Sequence, residues 1–194
     1  MAIDGALFRA INGLAEQSPM ADWFMLALAQ PSNLLFPGLL VFAYWAWTDK
    51  RRAIVGSLTL AAVILINDFI GAQVKHLVAR PRPCRLLEGV HQLTGCGGTF
   101  SFPSNHAMNT AAAAAFAQVL VPASGWITWP LVALIGFSRV YVGAHYVSDV
   151  VGAWALGGVL GAAAGFALLR WSVFKPRSEP RRQLKGKDAQ RSIG

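Results

Sequence analysis

Residues 53–74 read AIVGSLTLAAVILINDFIGAQV, with Arg51 and Arg52 before them and Lys75 directly after. The only charge inside is Asp68. A bilayer-spanning helix needs about 20 largely apolar residues, and this stretch meets that length. Similar apolar runs lie at about 34–48, 105–122, 126–142 and 148–172. Trp45, Trp47, Trp126, Trp129 and Trp171 stand near their ends, where a membrane interface favours tryptophan. The expectation is an all-α, polytopic membrane helix bundle with about five transmembrane helices.

Composition agrees. Hydrophobic residues are 55% of the 194 and charged residues 13%, against about 25% charged in soluble domains. The chain lacks the charge to cover a water-facing surface. Its net charge of +8 could suggest nucleic acid, but seven of the 17 basic residues follow Phe174. No folded nucleic-acid reader accompanies that tail. We therefore expect one membrane domain over 1–174 and a basic, disordered, cytoplasmic tail over 175–194.

Residues 1–20 lack a basic segment followed by a continuous apolar core, so they do not read as a cleaved signal peptide. Leu7, Phe8, Ile11 and Leu14 share one face of a helix over 4–16, with Arg9, Asn12 and Glu16 elsewhere. That pattern suits an interfacial helix. Residues 22–30 form another short helix, and 1–31 is read as interfacial; a sixth span made from both pieces is the alternative. Gly157, Gly161 and Gly165 recur every four residues, a flat face suited to packing within the bundle or, less simply, to a dimer contact.

Lys50, Arg51 and Arg52 join the first two spans, and five spans put them on the side of the basic tail. The positive-inside rule makes that side cytoplasmic. Residues 75–104 and the turn near 143–147 then face outward, yet they hold Lys75, Arg80, Arg82, Arg85, His76, His91 and His145, with Arg139 and His106 near the same face. Any one of these reads as a snorkelling side chain. The cluster, placed against the topological bias, suits a phosphate-bearing substrate.

Spacing sharpens this. Lys75 is followed by six residues and Arg82-Pro83; then comes Pro103-Ser104-Asn105-His106; then Ser138-Arg139, five residues, His145, three residues and Asp149. These blocks resemble the signature of the type-2 phosphatidic acid phosphatase family, K-x6-RP, PSGH and SR-x5-H-x3-D. Asn105 alone departs, standing where the family usually has glycine.

The residues themselves support phosphate chemistry. Lys75, Arg82 and Arg139 can neutralise phosphate oxygens, and an arginine fork can bind two together. Ser104 is placed to cap the helix that follows, leaving the Asn105 and His106 N–H groups for an anion. His145 and Asp149, four apart, share a helix face. A carboxylate on one imidazole nitrogen would fix the tautomer and free the other for attack. The resemblance implies that His145 forms a phosphohistidine, and that His106 protonates the leaving oxygen and then activates water. Asn105 adds bulk beside the phosphate without removing a chemical group. The catalytic candidates are thus His145, His106 and Asp149, and the phosphate-binding candidates Lys75, Arg82, Ser104, Asn105 and Arg139.

No metal or cofactor is expected, because no carboxylate cluster accompanies the signature. Asp68, in the second span, reads either as functional or as a structural hydrogen-bonding partner. Cys84 and Cys96 fall in the outward segment, where a disulfide is permitted and two free thiols are the alternative. Gly95-Cys96-Gly97-Gly98-Thr99 lacks the lysine and helix of a nucleotide loop and reads as a lid or turn.

The opening Leu7-Phe8-Arg9-Ala10-Ile11-Asn12-Gly13-Leu14 is similar to that of small bacterial undecaprenyl-diphosphate phosphatases in the family. This implies a polyprenyl diphosphate substrate; phosphatidylglycerol phosphate, phosphatidate and lipid A phosphate are the alternatives. A phosphotransferase would use the same residues. A haloperoxidase shares the signature but should be soluble. A lipid-binding protein would not need the His145–Asp149 pair.

Overall fold

The computed structural model describes residues 2–171. The basic tail expected over 175–194 lies outside the described residues. Eight helices follow one another: α1 (Ala2–Asn12), α2 (Pro19–Ala29), α3 (Leu35–Thr48), α4 (Lys50–Val78), the one-turn α5 (Pro83–Leu86), α6 (Asn105–Leu120), α7 (Gly125–Tyr141) and α8 (Val147–Leu169). The class is all-α, as the apolar runs imply. Pro31–Leu34 and Pro122–Ser124 form tight 3-10 turns, where proline opens the next element.

Helices α3, α4, α6, α7 and α8 fall on the five apolar runs. Two of them, α4 and α8, are long and apolar enough to cross a membrane. α2 and Pro31–Thr48 make a third if that pair, bent by 75°, counts as one broken span. α3, α6 and α7 have 14, 16 and 17 residues, short for independent spans. The pair that could make a further span therefore joins α2 to α3 across Pro31, rather than α1 to α2.

α6 sits at the centre, against α4, α7 and most closely α8. Its alanines make the approach possible: Ala107, Ala111, Ala112 and Ala114 are fully buried or nearly so. On α8, a Cβ at Gly157 would overlap the Met108 carbonyl, and one at Gly161 the Ala112 carbonyl. The glycine face thus packs inside the bundle, with backbone on backbone. Leu35, Phe36, Leu39, Leu58, Leu65, Phe69, Ile127 and Val159 are exposed, a ring of apolar side chains suited to lipid.

α1 lies across α7 and α8, and α2 across α7. The expected apolar face of α1 is only partly right. Phe8 is buried, but Leu7 and Leu14 are about half exposed, and Asn12 is buried in their place. The Asn12 amide donates to the His91 and Tyr141 carbonyls (both 2.8 Å) and accepts from the His91 N–H (3.0 Å). A polar side chain is stable there because it satisfies the His91 backbone and the Tyr141 carbonyl at the end of α7. The helix ends at Asn12, short of the expected residue 16.

The segment between α4 and α6 is held at two points. Cys84 and Cys96 form a disulfide, with Cα atoms 5.9 Å apart. Pro81 and Phe100 form an antiparallel bridge, and the Ser101 N–H donates to the Arg80 carbonyl at 2.7 Å. That bridge brings Ser101 beneath the α7–α8 turn.

Candidate active site

One end of the bundle collects the chemistry. Lys75 is in the last turn of α4, Asn105 and His106 open α6, Arg139 is in the last turn of α7, and Asp149 is in the first turn of α8. His145 lies in the turn between α7 and α8. Lys50–Arg52 sit at the far end of α4, roughly 35 Å from Lys75 at 1.5 Å per residue.

Arg82, Asn105, His106 and Arg139 line one cavity of about 850 Å³. From this polar mouth the cavity continues between α3, α4 and α6, along Leu34, Leu35, Leu60, Ile64 and Ala113. A second cleft, of about 610 Å³, is lined by Trp129, Trp154 and Phe166 and holds none of the candidate site residues. The first is the one that joins charge to apolar wall.

His145 is 3% exposed and Asp149 fully buried. Their relation differs from the expected direct bond. His145 Nδ1 lies 2.8 Å from the Ser101 carbonyl and 3.8 Å from Asp149 Oδ2. A carbonyl can only accept, so Nδ1 carries the proton and Nε2 is left as the basic nitrogen. Asp149 is occupied elsewhere. Its Oδ2 accepts from the Ser101 hydroxyl and from the Tyr146 N–H (2.8 Å), and its Oδ1 from Arg80 (2.7 Å). Burial drives the His145 pKa down to about 4, helped by Arg82 and Arg139 and opposed by Asp149. The imidazole is therefore neutral near pH 7.

The cations are held by backbone carbonyls. Arg82 donates to the Ala144 carbonyl (3.1 Å) and Arg139 to the Ala29 carbonyl (2.8 Å). Each keeps a buried Nε without a protein partner, as does the Ser104 hydroxyl. These are buried polar groups that the protein itself leaves unsatisfied. Ser104 occupies the N-cap position of α6, but its hydroxyl makes no capping bond, contrary to expectation. Lys75 Nζ donates to the Pro103 carbonyl and to Asn105 Oδ1 (2.7 Å). His106 Nε2 is 3.4 Å from the Leu28 carbonyl, which brings α2 against the site.

The glycine-rich turn lies over the cavity mouth, where Thr94, Gly95 and Gly97 contribute to the lining. Gly95 and Gly97 have φ of +70° and +62°, a conformation glycine adopts without a steric cost. Among the described residues, no group of three or more His, Cys, Asp or Glu side chains could hold a metal.

Sequence reasoning missed Ser101 and Asp4, and it saw Arg80 only as one of the outward cations. Ser101 supports both His145 and Asp149, yet no spacing marks it. Arg80, inside the gap between Lys75 and Arg82, bridges Asp149 to Asp4 on α1 (2.5 Å) and lies 4.1 Å from the centre of the Tyr146 ring. Its outward cluster with the other cations was the available signal; the partner on α1 was not visible.

The fold and the site define a membrane phosphatase with a buried histidine, His145, near a cation-lined cavity that His106 enters. The chain belongs to the PAP2 superfamily, whose pattern matches residues 56–173. It is 30% identical over 172 residues to undecaprenyl-diphosphatase BcrC of Bacillus subtilis (strain 168), covering 86% of this chain and 82% of that one. It is 25% identical to the lipid A 4'-phosphatase of Porphyromonas gingivalis, covering 83% and 71%. The crystal structure of a transmembrane PAP2-type phosphatidylglycerolphosphate phosphatase from Bacillus subtilis superposes with a TM-score of 0.64 at 25% identity, covering 88% of this chain and 87% of that one. The chain is thus a PAP2-type lipid phosphatase of the membrane. The relatives act on three different lipids, so likeness alone does not choose a substrate.

Proposed function

We propose that this protein removes the terminal phosphate of a polyprenyl diphosphate, such as undecaprenyl diphosphate, on the outer side of a bacterial cytoplasmic membrane. The supporting observation is the cavity itself: a cationic mouth at Arg82 and Arg139 runs into an apolar channel between α3, α4 and α6. A diphosphate on a long isoprenoid chain has that same division of character. The likeness to BcrC, over most of both chains, points the same way.

In this reading α3, α4, α6, α7 and α8 all cross the membrane, with α3, α6 and α7 completed by flanking residues. Lys50–Arg52 and the C-terminal tail face the cytoplasm. Lys75, Arg82, Arg139, the Ser104 hydroxyl and the N–H groups opening α6 hold the phosphate oxygens. His145 Nε2 attacks the terminal phosphorus. The bond from phosphorus to the bridging oxygen breaks, and His106 delivers a proton to that oxygen as the lipid monophosphate leaves. His106 then takes a proton from water, whose oxygen displaces His145 and releases inorganic phosphate. The Ser101 carbonyl holds the imidazole, and Asp149, 3.8 Å away, offsets its positive charge. No metal takes part.

Phosphate release in detergent micelles with EDTA tests this. Wild type and His145→Ala would be compared on undecaprenyl diphosphate, phosphatidylglycerol phosphate and phosphatidate. Release by wild type only, fastest on the diphosphate, is expected. A faster rate on either glycerolipid would overturn the substrate. Release dependent on added metal, or retained by H145A, would overturn the mechanism.

A further inference from the structure

Asn105 stands where the related pattern carries glycine, and its side chain joins α4 to α6 at the cavity. Asn105 Oδ1 accepts from Lys75 Nζ at 2.7 Å, while its Nδ2 donates to Asp68 Oδ1 at 3.1 Å. The orientation of the amide follows from chemistry. An ammonium only donates, and a carboxylate only accepts, so the oxygen must face Lys75 and the nitrogen Asp68. Asn109, one turn along α6, adds a second amide to the same Asp68 oxygen at 3.0 Å. Asp68 and Asn109 both line the cavity.

Gly71 makes the arrangement sterically feasible. It lies on α4 between Asp68 and Lys75, and a Cβ there would come within 2.8 Å of Asn105 Oδ1. Asp68, Gly71 and Lys75 follow the i, i+3, i+7 spacing of one helix face. The extra bulk of asparagine is thus matched by missing bulk on the facing helix.

We propose that Asp68 is a positioning residue that acts through Asn105 on Lys75, fixing the ammonium at the phosphate site. Asp68 touches neither phosphate nor nucleophile in this arrangement. It sets the direction of the Asn105 amide, and the amide sets where Lys75 points. With glycine at 105 the relay has no middle member, so the hydrogen-bonded path from Asp68 to Lys75 is lost. The assignment rests on the proposed phosphate-binding role of Lys75.

A double-mutant cycle in purified, detergent-solubilised full chain tests this, with two readouts: kcat/KM for lipid phosphate release, and the Kd for orthovanadate, an inorganic phosphate mimic. Asp68→Leu in the wild-type background should weaken both by about tenfold, whereas in an Asn105→Gly background it should change them by less than about twofold. Asp68→Asn keeps an acceptor oxygen and should restore most of the loss. Equal losses in both backgrounds, or Asp68→Asn as damaging as Asp68→Leu, would overturn the relay.

If Asp68→Leu does not survive purification, Gly71→Ala supplies the second cycle. It should weaken vanadate binding beside Asn105 and leave the Asn105→Gly protein unchanged; a similar loss in both would again overturn the proposal. Vanadate binding keeps this test separate from the substrate assignment. A protein that releases no phosphate from polyprenyl diphosphate still reports the relay through vanadate.

Discussion

Arg80 and Asp149 meet at 2.7 Å, and the same guanidinium reaches Asp4 on α1 at 2.5 Å. The Arg80 side chain is 20% exposed, and those of Asp149 and Asp4 are 0% and 15% exposed. The buried acid beside the candidate nucleophile is therefore tied, through one arginine, to the helix that opens the chain. Ser148 strengthens the tie: its N–H and hydroxyl both donate to Asp4, at 3.1 and 2.6 Å.

Asp4→Asn should test that tie. Burial pushes the Asp4 carboxyl up, but hydrogen bonds from Ser148 and Arg80 outweigh it and hold the pKa below its ordinary 3.8. A carboxylate depressed in this way stabilises the fold above its unfolded pKa and loses that contribution as pH falls through the folded value. Asp4→Asn should cost about 2 kcal/mol near neutral pH, the scale of hydrogen bonds to a charged group. The penalty should shrink below about pH 4. Thermal unfolding in detergent at several pH values measures both effects.

His145 gives a second pH signature of the opposite residue type. Its folded pKa of about 4 lies below the ordinary 6.5. Between these values the unfolded chain binds the proton and the folded chain does not, so stability falls as pH drops from about 6.5 to 4. The gap corresponds to about 3 kcal/mol at the acid end, and His145→Asn should remove that slope. Because the neutral imidazole is the attacking form, the acid limb of kcat/KM should also lie well below pH 6.5. A limb centred at 6.5 that does not move when the substrate's own phosphate pKa is changed would contradict the lowered pKa of His145.

What could be read without coordinates follows from the kind of force involved. Apolar length located α4 and α8, since burial in lipid depends on composition over many residues. Local spacing placed Lys75, Arg82, His106, Arg139, His145 and Asp149, because each sits at a helix end next to its motif. Contacts between distant segments were not readable. Ser101 reaches His145 only because Pro81 pairs with Phe100, and Asp4 reaches Arg80 only because α1 folds back over α8. The Ser104 cap failed for a related reason: the pattern of residues marks the helix start but not where the hydroxyl points.

Gly161→Leu probes the core of the bundle. At Gly161 the neighbouring atoms belong to the Ala112 backbone, which cannot swing aside as a side chain can. The substitution should destabilise the protein by about 3 kcal/mol, the upper range for overpacking. Gly158→Leu provides the contrast, because the nearest atom to a Cβ there is a Trp129 ring carbon at 3.8 Å. It should be tolerated within about 1 kcal/mol, because the side chain would enter the cleft beside Trp129 and Trp154. Equal damage at both sites would mean that α6 and α8 do not pack as described.

Ser104→Ala should separate stability from catalysis. The Ser104 hydroxyl is fully buried and has no hydrogen-bond partner in the protein. Removing an unsatisfied buried hydroxyl relieves a desolvation cost, so the substituted protein should be as stable as the original, or more stable by up to about 1 kcal/mol. If that hydroxyl serves a phosphate oxygen, kcat/KM should nevertheless fall by about tenfold, the scale of one hydrogen bond to a charged group. Unfolding in detergent and phosphate release, measured on the same preparations, decide between the two roles. A loss of stability that accompanies the loss of rate would make Ser104 a structural residue and remove it from the phosphate site.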